Sequence, residues 1–393
     1  MTNPSRMNRR HALYSLAGLA AAPWVPPVSA AGRRKTLILL ELNGGNDGLN
    51  TVIPYADPAY AGLRGRVAIK RDQVLQLSDG VGMHPALEPL MPIWQLGNMG
   101  IVQGIGYPRP NRSHFRSIEI WDTATTKEGD VQPGWVASLF RASGYASTRP
   151  MDAVVLGREY LGPVAAADMR TVVMRKPAAF LRQAKRVSAI HANTDNAALK
   201  HILSVRMKIF ESARVIESAM QRGARFVGNN KKRRGLEEQF AIAAQLILGG
   251  ANVPVIKMSQ SGYDTHAGQL GKHRTLMAEL ARAIAAFQKV MVANRRWDDV
   301  LIATYSEFGR RAAENGSGGT DHGTAAPHFL IGGRVKGALY GAYPMLKGLD
   351  NGDLRYTVDF RNYYATIAKE WFGIDNHGID AVGGRTLDAV RPT

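Results

Sequence analysis

The chain has 393 residues, of which 45% are hydrophobic and 21% charged, and it contains no cysteine. This composition excludes a disulfide-stapled mini-protein, a disordered tail and a bundle of membrane spans, and the lack of cysteine excludes thiolate catalysis and cysteine-type zinc sites. The net charge is +18, and the densest basic run, at residues 231–234, has no interleaved aromatic residue. Such a run is typical of a solvated loop, so we expect no nucleic-acid partner but a basic surface that attracts small anions or envelope polyanions.

The first thirty residues have the features of an export signal. Arg9 and Arg10 precede an apolar stretch at residues 12–25, which is too short for a stable membrane span and is followed by the small residues of a cleavage site, Val28-Ser29-Ala30. Paired arginines before a mildly apolar region resemble a twin-arginine signal peptide, and an ordinary secretory signal is the alternative. We therefore expect residues 1–30 to engage the twin-arginine translocase and the mature protein to be periplasmic or secreted by a bacterium.

Short apolar runs alternate with helical spacing through the rest of the chain. The runs predict strands buried on both faces, at residues 36–42, 99–105, 253–258, 300–305 and 329–331. Apolar residues with helical periodicity at 113–123 and 276–291 predict two of the helices between them. The fold class predicted is α/β, a three-layer sandwich with a mostly parallel central sheet, in which polar loops collect beyond the carboxyl ends of the strands.

The pattern changes between about residues 145 and 235. Two short strand candidates, near Val154 and Val172, precede a helix-rich, basic stretch without a cluster of candidate ligands. We interpret this range as a helical insertion or cap over the edge of the sheet. Because no linker divides the mature chain, residues 31–393 are predicted to form one domain.

Carboxylate and imidazole groups follow two of the predicted strands. Asp264 and His266 come after one strand, and Asp321, His322 and His328 surround the start of the last one. Neutral imidazole and carboxylate together suit zinc, manganese or iron, so these residues are candidate metal ligands. The alternative is that they only cap turns and bind backbone groups of their loops.

Ser113 is the candidate nucleophile. It precedes a predicted helix, whose free amides would face an attacked anion, and Arg112 and His114 add donors for a developing oxyanion. A helix N-cap is the simpler role for such a serine, and Ser117, one turn later, is a second candidate. Glu307 closes an apolar strand and is a candidate metal ligand or general base, with pairing to the following arginines as the alternative.

Several long motifs resemble those of a known family. They read ELNGGNDGLN from Glu41, NRSHFRS from Asn111, DTH from Asp264, YSEFGRR from Tyr305 and GTDHGTAAP from Gly319. With the twin-arginine start, they resemble the exported bacterial family called domain of unknown function 1501 over nearly the whole mature chain. That family is similar to the alkaline phosphatase and sulfatase superfamily. The resemblance implies an alkaline phosphatase-like fold and hydrolysis of phosphate or sulfate esters by a serine, threonine or cysteine nucleophile beside two divalent metals.

The resemblance implies one metal site preserved in outline, formed by Asp264, His266 and His322. In a second alignment of the motifs, Asp321 and His322 form the superfamily's Asp-His pair and His328 is the later ligand. That alignment leaves the motif at residues 305–311 unexplained, so it ranks second. The expected cofactor is a divalent ion, with zinc, manganese and calcium as the candidates.

The other metal site implied by the resemblance is weakened. Asn43 stands where the superfamily has a metal-binding aspartate, and Phe308 stands where it has a histidine ligand, which leaves Asn43, Ser113 and Glu307 at this position. Since two metals normally share activation of the nucleophile and stabilisation of the leaving oxygen, a positive charge from an arginine would have to replace the lost ion. The candidates for that replacement are Arg112, Arg116 and Arg310.

These observations support two main functional hypotheses. The first is an exported metal-dependent hydrolase of a small anionic ester or of an envelope glycan ester, with Ser113 as nucleophile. The second is a catalytically inactive periplasmic binding protein of the same fold, which recognises an anionic glycan or a partner protein through its basic crevice. A cofactor-carrying oxidoreductase ranks third, because no dinucleotide-type glycine fingerprint follows the first strand.

Overall fold

The computed structural model describes most of the chain after the predicted export signal. The described residues are 35–127, 132–145, 149–184, 186, 195–228, 230, 232–343, 345–375, 378–379 and 385–392. The predicted signal peptide, residues 1–30, lies outside them. The described residues belong to one compact unit. None of their helices combines the length and the apolar character needed to cross a bilayer.

Twelve strands occur in the described part of the chain, and nine of them form the central sheet. The central strands are β1 (Thr36–Asn43), β5 (Met99–Gly106), β6 (Ala153–Leu156), β7 (Thr171–Met174), β8 (Val255–Ser261), β9 (Val300–Tyr305), β10 (Ala326–Ile331), β11 (Leu339–Tyr340) and β12 (Val358–Asp359). The remaining three form a small antiparallel sheet, β2 (Val52–Ile53), β3 (Leu75–Gln76) and β4 (Gly82–Met83).

Helices of very different length connect these strands. The α-helices are α1 (Gly48–Thr51), α2 (Pro58–Arg64), α3 (Met91–Gln95), α4 (His114–Thr123), α5 (Trp135–Ser143), α6 (Pro177–Ala184), α7 (Ala197–Val227), α8 (Gly235–Leu248), α9 (Gln269–Ala293) and α10 (Phe360–Thr366). Short 3-10 turns occur at Gly65–Val67, Arg71–Gln73, Pro85–Leu90, Gly162–Val164, Trp297–Asp299 and Leu346–Gly348, and a π-helical turn at Ile367–Trp371 follows α10.

The central sheet is mixed but mostly parallel. Its strand order is β11-β5-β10-β9-β1-β8-β6-β7, with β12 also paired to β5. Every pairing is parallel except those of β10, which runs antiparallel to both β5 and β9. The predicted strands at residues 36–42, 99–105, 253–258, 300–305 and 329–331 are therefore confirmed, whereas the reversed direction of the last one was not predicted.

Helices cover both faces of this sheet. Side chains of β1 alternate between two hydrophobic cores: Ile38, Leu40 and Leu42 pack with α8 and α9, and Leu37 and Leu39 lie in the core that contains α4, α5 and α10. This period of two, with apolar residues on both faces, is what a strand buried between two helical layers requires. The predicted three-layer α/β architecture is confirmed.

Residues 145–235 divide between the sheet and two helices. The strands near Val154 and Val172 are β6 and β7, which extend the central sheet beyond β8, and α6 and α7 follow them. The helix-rich part of the range therefore begins at α6, at the end of the sheet formed by β7.

Candidate functional site

Polar loops from five parts of the chain meet at one rim of the central sheet. The loops after β1, β5, β8 and β9 reach this rim because the carboxyl ends of parallel strands lie at the same edge. The loop before β10 reaches it as well, since an antiparallel strand begins where its neighbours end. The sequence analysis predicts that the first four loops lie at one rim, because each follows a strand of a mostly parallel sheet. His322 joins them because β10 runs in the opposite direction, so that the loop before it lies at the same rim.

Two of these loops touch through Gly44, directly after β1. Gly44 has φ +119°, and a Cβ at this position would lie 2.4 Å from the backbone nitrogen of Asp264. Its amide N–H donates to Glu307 Oε1 at 2.9 Å. Glycine is required here because no side chain fits between the loops after β1 and β8 and because the backbone conformation is one that L residues rarely adopt.

Three imidazoles and one carboxylate converge at the rim. Ligand atoms of His114, Asp264 and His322 all lie within 4.8 Å of one another. His266 Nε2 lies 2.9 Å from Asp264 Oδ1 and 2.9 Å from His322 Nε2. The cluster formed by His114, Asp264, His266 and His322 is hereafter called the rim cluster.

Each imidazole of the rim cluster is held through its Nδ1 atom. The partners are Glu307 Oε1 for His114 at 2.8 Å, Asp321 Oδ1 for His266 at 3.2 Å and the carbonyl oxygen of Arg112 for His322 at 2.8 Å. Since all three partners accept hydrogen bonds, each Nδ1 carries a proton, and the lone pair of each ring in its neutral form is on Nε2. Metal-ligating histidines are held in this way by carboxylates and carbonyls.

Arg310 supplies a fully buried positive charge beneath the rim cluster. Its guanidinium donates to the carbonyl oxygens of Gly44, Gly45, Tyr263 and Thr320, and Nη2 donates to Asp264 Oδ1 at 2.6 Å. The side chain is 0% exposed. Arg310 therefore joins the loops after β1, β8 and β9 to the loop before β10 and neutralises one carboxylate of the cluster.

These contacts shift the pKa values of the cluster in opposite directions. Burial alone would raise the pKa of Asp264, but the hydrogen bond and charge of Arg310, assisted by His266 and His322, lower it to about 2. The hydrogen bond to Glu307 raises the pKa of His114, although burial opposes it, and burial lowers the pKa of His322. Asp264 is therefore ionised at neutral pH and available as a ligand.

The residues present fit a divalent metal ion. His266 Nε2 and His322 Nε2 lie 2.9 Å apart and are 2.9 and 3.3 Å from Asp264 Oδ1, while His114 Nε2 lies 3.6 Å from Asp264 Oδ2. Two facing lone pairs are stabilised when a cation lies close to both. The ligand atoms of His114, Asp264 and His322 lie close enough to one another to hold one ion, and imidazole nitrogen and carboxylate oxygen suit zinc, manganese or iron.

A cavity of about 470 Å³ opens beside the rim cluster. His114, Asp264 and Glu307 line it, together with Phe115, Arg158 and Tyr160. Glu41, which also lines the cavity, forms an ion pair of 2.7 Å with Lys257, and both side chains are 1% exposed. The cavity lining therefore combines aromatic residues with charged ones.

A second cavity, of about 570 Å³, is lined in part by Phe308. Phe308 also packs against the rings of His114 and His322, with centroid distances of 4.9 and 4.6 Å. Arg109, Arg112, Arg355, Tyr107 and Tyr356 are among the residues that line it. Phe308 therefore lines this second cavity and also contacts two imidazoles of the rim cluster.

The two serine candidates have different environments. Ser113 is exposed at the N-cap of α4, and its side chain makes no capping hydrogen bond. Ser117 is 0% exposed, and its hydroxyl donates to the Glu307 carbonyl and contacts Tyr107 Oη at 3.0 Å. Within the described residues, no hydrogen bond joins the Ser113 hydroxyl to the rim cluster, so Ser113 is adjacent to the cluster through His114 only.

The other residues predicted from the sequence differ in their position relative to the rim cluster. Asn43 lines the cavity beside the rim cluster, and its amide donates to Glu41 Oε1 at 3.0 Å. Asp321 orients His266, and the Arg112 side chain pairs with Asp353 at 3.1 Å. His328 lies inside β10, 1% exposed and beside Trp121, and burial lowers its pKa to about 3.

Sequence reasoning missed two features of the site. His114 was taken as an oxyanion donor, yet its Nε2 belongs to the group of atoms that can hold a metal. The buried pair of Glu41 and Lys257 was not singled out, although charged residues inside two otherwise apolar strand runs are a signal that could have revealed it.

The fold and the site define a class of protein: a three-layer α/β protein with a histidine and carboxylate cluster where the loops meet at one rim of its sheet. The family model described as "Protein of unknown function (DUF1501)" matches residues 103–386, and the chain therefore belongs to this family. No curated protein matches the chain.

Solved structures similar to the chain include members of the alkaline phosphatase superfamily. Ps i-CgsB in complex with k-i-k-neocarrahexaose is 11% identical, with 90% of this chain and 77% of that chain covered and a TM-score of 0.34. The lipoteichoic acid synthase LtaP from Listeria monocytogenes is 12% identical, with coverages of 82% and 68% and a TM-score of 0.32. The TAB5 alkaline phosphatase mutant His 135 Glu with bound Mg is 11% identical, with coverages of 76% and 92% and a TM-score of 0.35. At these values the similarities support no conclusion about the activity of this chain.

Proposed function

We propose that this protein is an exported, metal-dependent hydrolase of phosphate or sulfate esters. The observation that carries the proposal is the rim cluster, in which ligand atoms of His114, His322 and the ionised Asp264 lie within 4.8 Å of one another and the two imidazoles are anchored through Nδ1. A divalent ion bound there would act as a Lewis acid on the ester oxygen. His114, His266, His322 and Asp264 are the proposed ligands.

Ser113 is the proposed nucleophile. Its exposure, its position next to His114 and the lack of a capping bond to its side chain support this role. Ser117 is unsuitable because its buried hydroxyl is already bonded to the Glu307 carbonyl. The amides at the start of the ten-residue helix α4 would donate to a negatively charged ester group beside Ser113.

Arg310 and Glu307 have supporting roles in the proposed reaction. The Arg310 guanidinium fixes the Asp264 carboxylate and contributes positive charge beneath the reacting group, where low exposure strengthens its field. Glu307 accepts the hydrogen bond of His114 Nδ1 and so makes Nε2 the ligand atom of the neutral ring. Neither residue needs to contact the substrate to exert these effects.

The proposed substrate is a small anionic ester or an ester of an envelope glycan. The cavity has the basic groups of Arg109 and Arg355 for an anionic substituent, with Arg112 paired to Asp353 beside them, and the tyrosines Tyr107 and Tyr356 for a sugar ring. The twin-arginine start of the sequence supports a periplasmic or secreted location, where such substrates occur.

The direct test measures metal content and turnover in the same preparations. Elemental analysis of purified wild type should find about one zinc, manganese or iron per chain, and aryl phosphate or aryl sulfate should be hydrolysed. Ser113→Ala should retain the metal but lose turnover by at least about 10³-fold, whereas Asp264→Asn should lose both. The exposed Ser78→Ala and Asp79→Asn are the matched controls and should behave as wild type. Metal-free protein without turnover would contradict the proposal.

A binding protein without catalysis is the second candidate. The bond from Arg310 to Asp264 favours it, because a carboxylate already neutralised by an arginine is a weaker metal ligand. In this case, an anionic oligosaccharide should bind with an affinity that falls steeply with salt and is unchanged by a chelator. Metal-dependent turnover would exclude this candidate.

A further inference from the structure

A buried glutamine contacts both of the loops that carry His266 and His322. Gln269 is the first residue of the 25-residue helix α9, and its side chain is 0% exposed. Its backbone N–H donates to the carbonyl oxygen of Gly318 at 2.9 Å, so the start of α9 is also joined to the loop before β10. Because the residue belongs to a long helix, its position is fixed by elements outside the two loops.

The side-chain oxygen of Gln269 accepts one hydrogen bond from each loop. Thr265 Oγ1 donates to Gln269 Oε1 at 3.0 Å, and Thr320 Oγ1 donates to the same atom at 2.6 Å. Thr265 directly precedes His266 in the sequence. Thr320 lies two residues before His322. One oxygen atom therefore joins the two segments that carry these candidate ligands.

Asp47 determines which way the Gln269 amide faces. Gln269 Nε2 donates to Asp47 Oδ2, which also accepts from the Arg64 guanidinium. A carboxylate paired with arginine only accepts hydrogen bonds, so the amide nitrogen must face it and Oε1 must face the threonines. The side chains of Asp47 and Arg64 are 1% and 0% exposed. Since water does not reach these buried groups, a turn of the amide would leave hydrogen bonds unmade on both sides.

The two loops also meet through their backbones. A Cβ on Gly319 would lie 2.3 Å from the backbone of His266, and the Thr320 amide donates to the Thr265 carbonyl oxygen at 3.3 Å. A movement of one loop at this junction would therefore change its distance from the other. The hydrogen bonds to Gln269 oppose such a movement because they hold both threonines to the same atom.

The distance between the two imidazoles is sensitive to the position of these loops. His266 Nε2 and His322 Nε2 lie 2.9 Å apart, and each ring belongs to a different loop. Metal–ligand distances vary by only about 0.2 Å in well-formed sites. A shift of a few tenths of an ångström between the loops would therefore weaken metal binding while the sheet and its helices stay folded.

We propose that Gln269 is a positioning residue of the rim cluster, which fixes the loops of His266 and His322 relative to each other. It acts through Thr265 and Thr320, since no hydrogen bond of the described residues joins Gln269 to an imidazole. The inference rests on the proposed function only in treating the two histidines as metal ligands.

The test compares variants that remove these hydrogen bonds with variants that keep them. Gln269→Met has a side chain of similar length and removes all three bonds of the amide. The valine pair, Thr265→Val with Thr320→Val, removes both hydroxyls at similar volume, whereas the serine pair, Thr265→Ser with Thr320→Ser, retains the hydroxyls. The matched control is Gln239→Met in α8, which removes a buried glutamine that bonds the backbone of Ser259.

Zinc affinity of the full mature chain is measured by competition with a chromogenic chelator. Gln269→Met and the valine pair should bind zinc about 10- to 100-fold more weakly than wild type, whereas the serine pair and Gln239→Met should stay within about threefold of it. An equal loss in the serine and valine pairs would overturn the proposal, because side-chain volume and not hydrogen bonding would then be responsible. Urea unfolding verifies that each variant is folded under the conditions of the assay.

Hydrogen exchange of the metal-free protein tests the position of the loops without any ion. Mass spectrometry of the segment at residues 315–324, which contains the Thr320 amide, should show exchange at least about tenfold faster in Gln269→Met than in wild type or Gln239→Met. Equal exchange in the three proteins would overturn the inference. Wild type that binds no zinc would reject the proposed function, and the exchange rates would then decide by themselves whether Gln269 holds the loops.

Discussion

Glu307 Oε1 lies 2.8 Å from His114 Nδ1 and at the same time accepts the amide proton of Gly44. The carboxylate is 1% exposed, and these two partners, with the Ser306 hydroxyl that donates to Oε2 at 3.1 Å, replace the water it has lost. One buried group therefore fixes both a candidate ligand and the loop that follows the first strand.

This arrangement predicts the effect of Glu307→Gln. The amide keeps the shape of the side chain but removes the charge that holds the proton on His114 Nδ1, so we expect metal affinity to fall about 10- to 100-fold. Competition with a chromogenic chelator measures the change. Glu119→Gln, at an exposed position on the same helix α4, is the control and should retain wild-type affinity. Equal affinity of the two variants would contradict the prediction.

A second prediction concerns acid stability and His328. Burial lowers its pKa to about 3, so the folded state stays unprotonated where the unfolded chain, with a pKa near 6.5, binds a proton. This group therefore stabilises the fold above pH 6.5, and that stability is lost as the pH falls towards 3, by up to about 1.4 kcal/mol per pH unit. We expect His328→Leu to have a shallower pH dependence.

Urea unfolding between pH 7.5 and 4, with a chelator present, tests this prediction. His328 Nδ1 has no hydrogen-bond partner among the described residues, so the leucine substitution breaks no hydrogen bond of this atom. The free energy of unfolding of the variant at pH 7.5 should therefore remain close to that of wild type. If the free energies of unfolding of the two proteins changed equally with pH, His328 would not be the group responsible for the loss of stability in acid.

The third prediction concerns the contact between the loops after β1 and β8. Gly44→Ala places a Cβ against the backbone of Tyr263 and Asp264 and forces a conformation that alanine rarely adopts. We expect a loss of about 2 kcal/mol in the free energy of unfolding, together with weaker metal binding, because the Asp264 loop must move. Gly271→Ala is the matched control. It lies inside α9 with no neighbour near the added Cβ, and it should gain about 0.5–1 kcal/mol.

The buried pair of Glu41 and Lys257 gives a fourth prediction. Removing either charge alone leaves the other buried, and we expect Glu41→Leu or Lys257→Met to cost about 3–5 kcal/mol. The double variant should recover most of this loss, since no charge of the pair then remains uncompensated. Urea unfolding of the four proteins in a double-mutant cycle measures the coupling, and additive losses would show that the pair is not an energetic unit.

Much of the fold could be predicted because its signals are local. The apolar runs at residues 36–42 and 300–305 are short, continuous and followed by glycine-rich loops, and the strands end within a residue of the predicted limits. The direction of β10 could not be predicted, because it depends on how the chain returns across the sheet and not on the residues of the strand.

The candidate site was less accessible to sequence reasoning because its contacts are not local. Arg310 was considered a partner for Glu307, its neighbour in sequence, yet its guanidinium bonds Asp264, 46 residues away. His114 and Glu307 are 193 residues apart and still form one hydrogen bond. Residue types at strand ends indicated which groups meet, but only the three-dimensional structure shows which atoms face each other.

The same separations affect when the site can form. His322 Nδ1 bonds a carbonyl 210 residues earlier in the chain, so the candidate ligands come together only after most of the central sheet has assembled. A partly synthesised chain would hold at most isolated donors, which bind metal weakly and without selectivity. The compartment in which the whole chain completes folding would therefore decide which ion this centre captures, whatever ion is abundant where the protein later works.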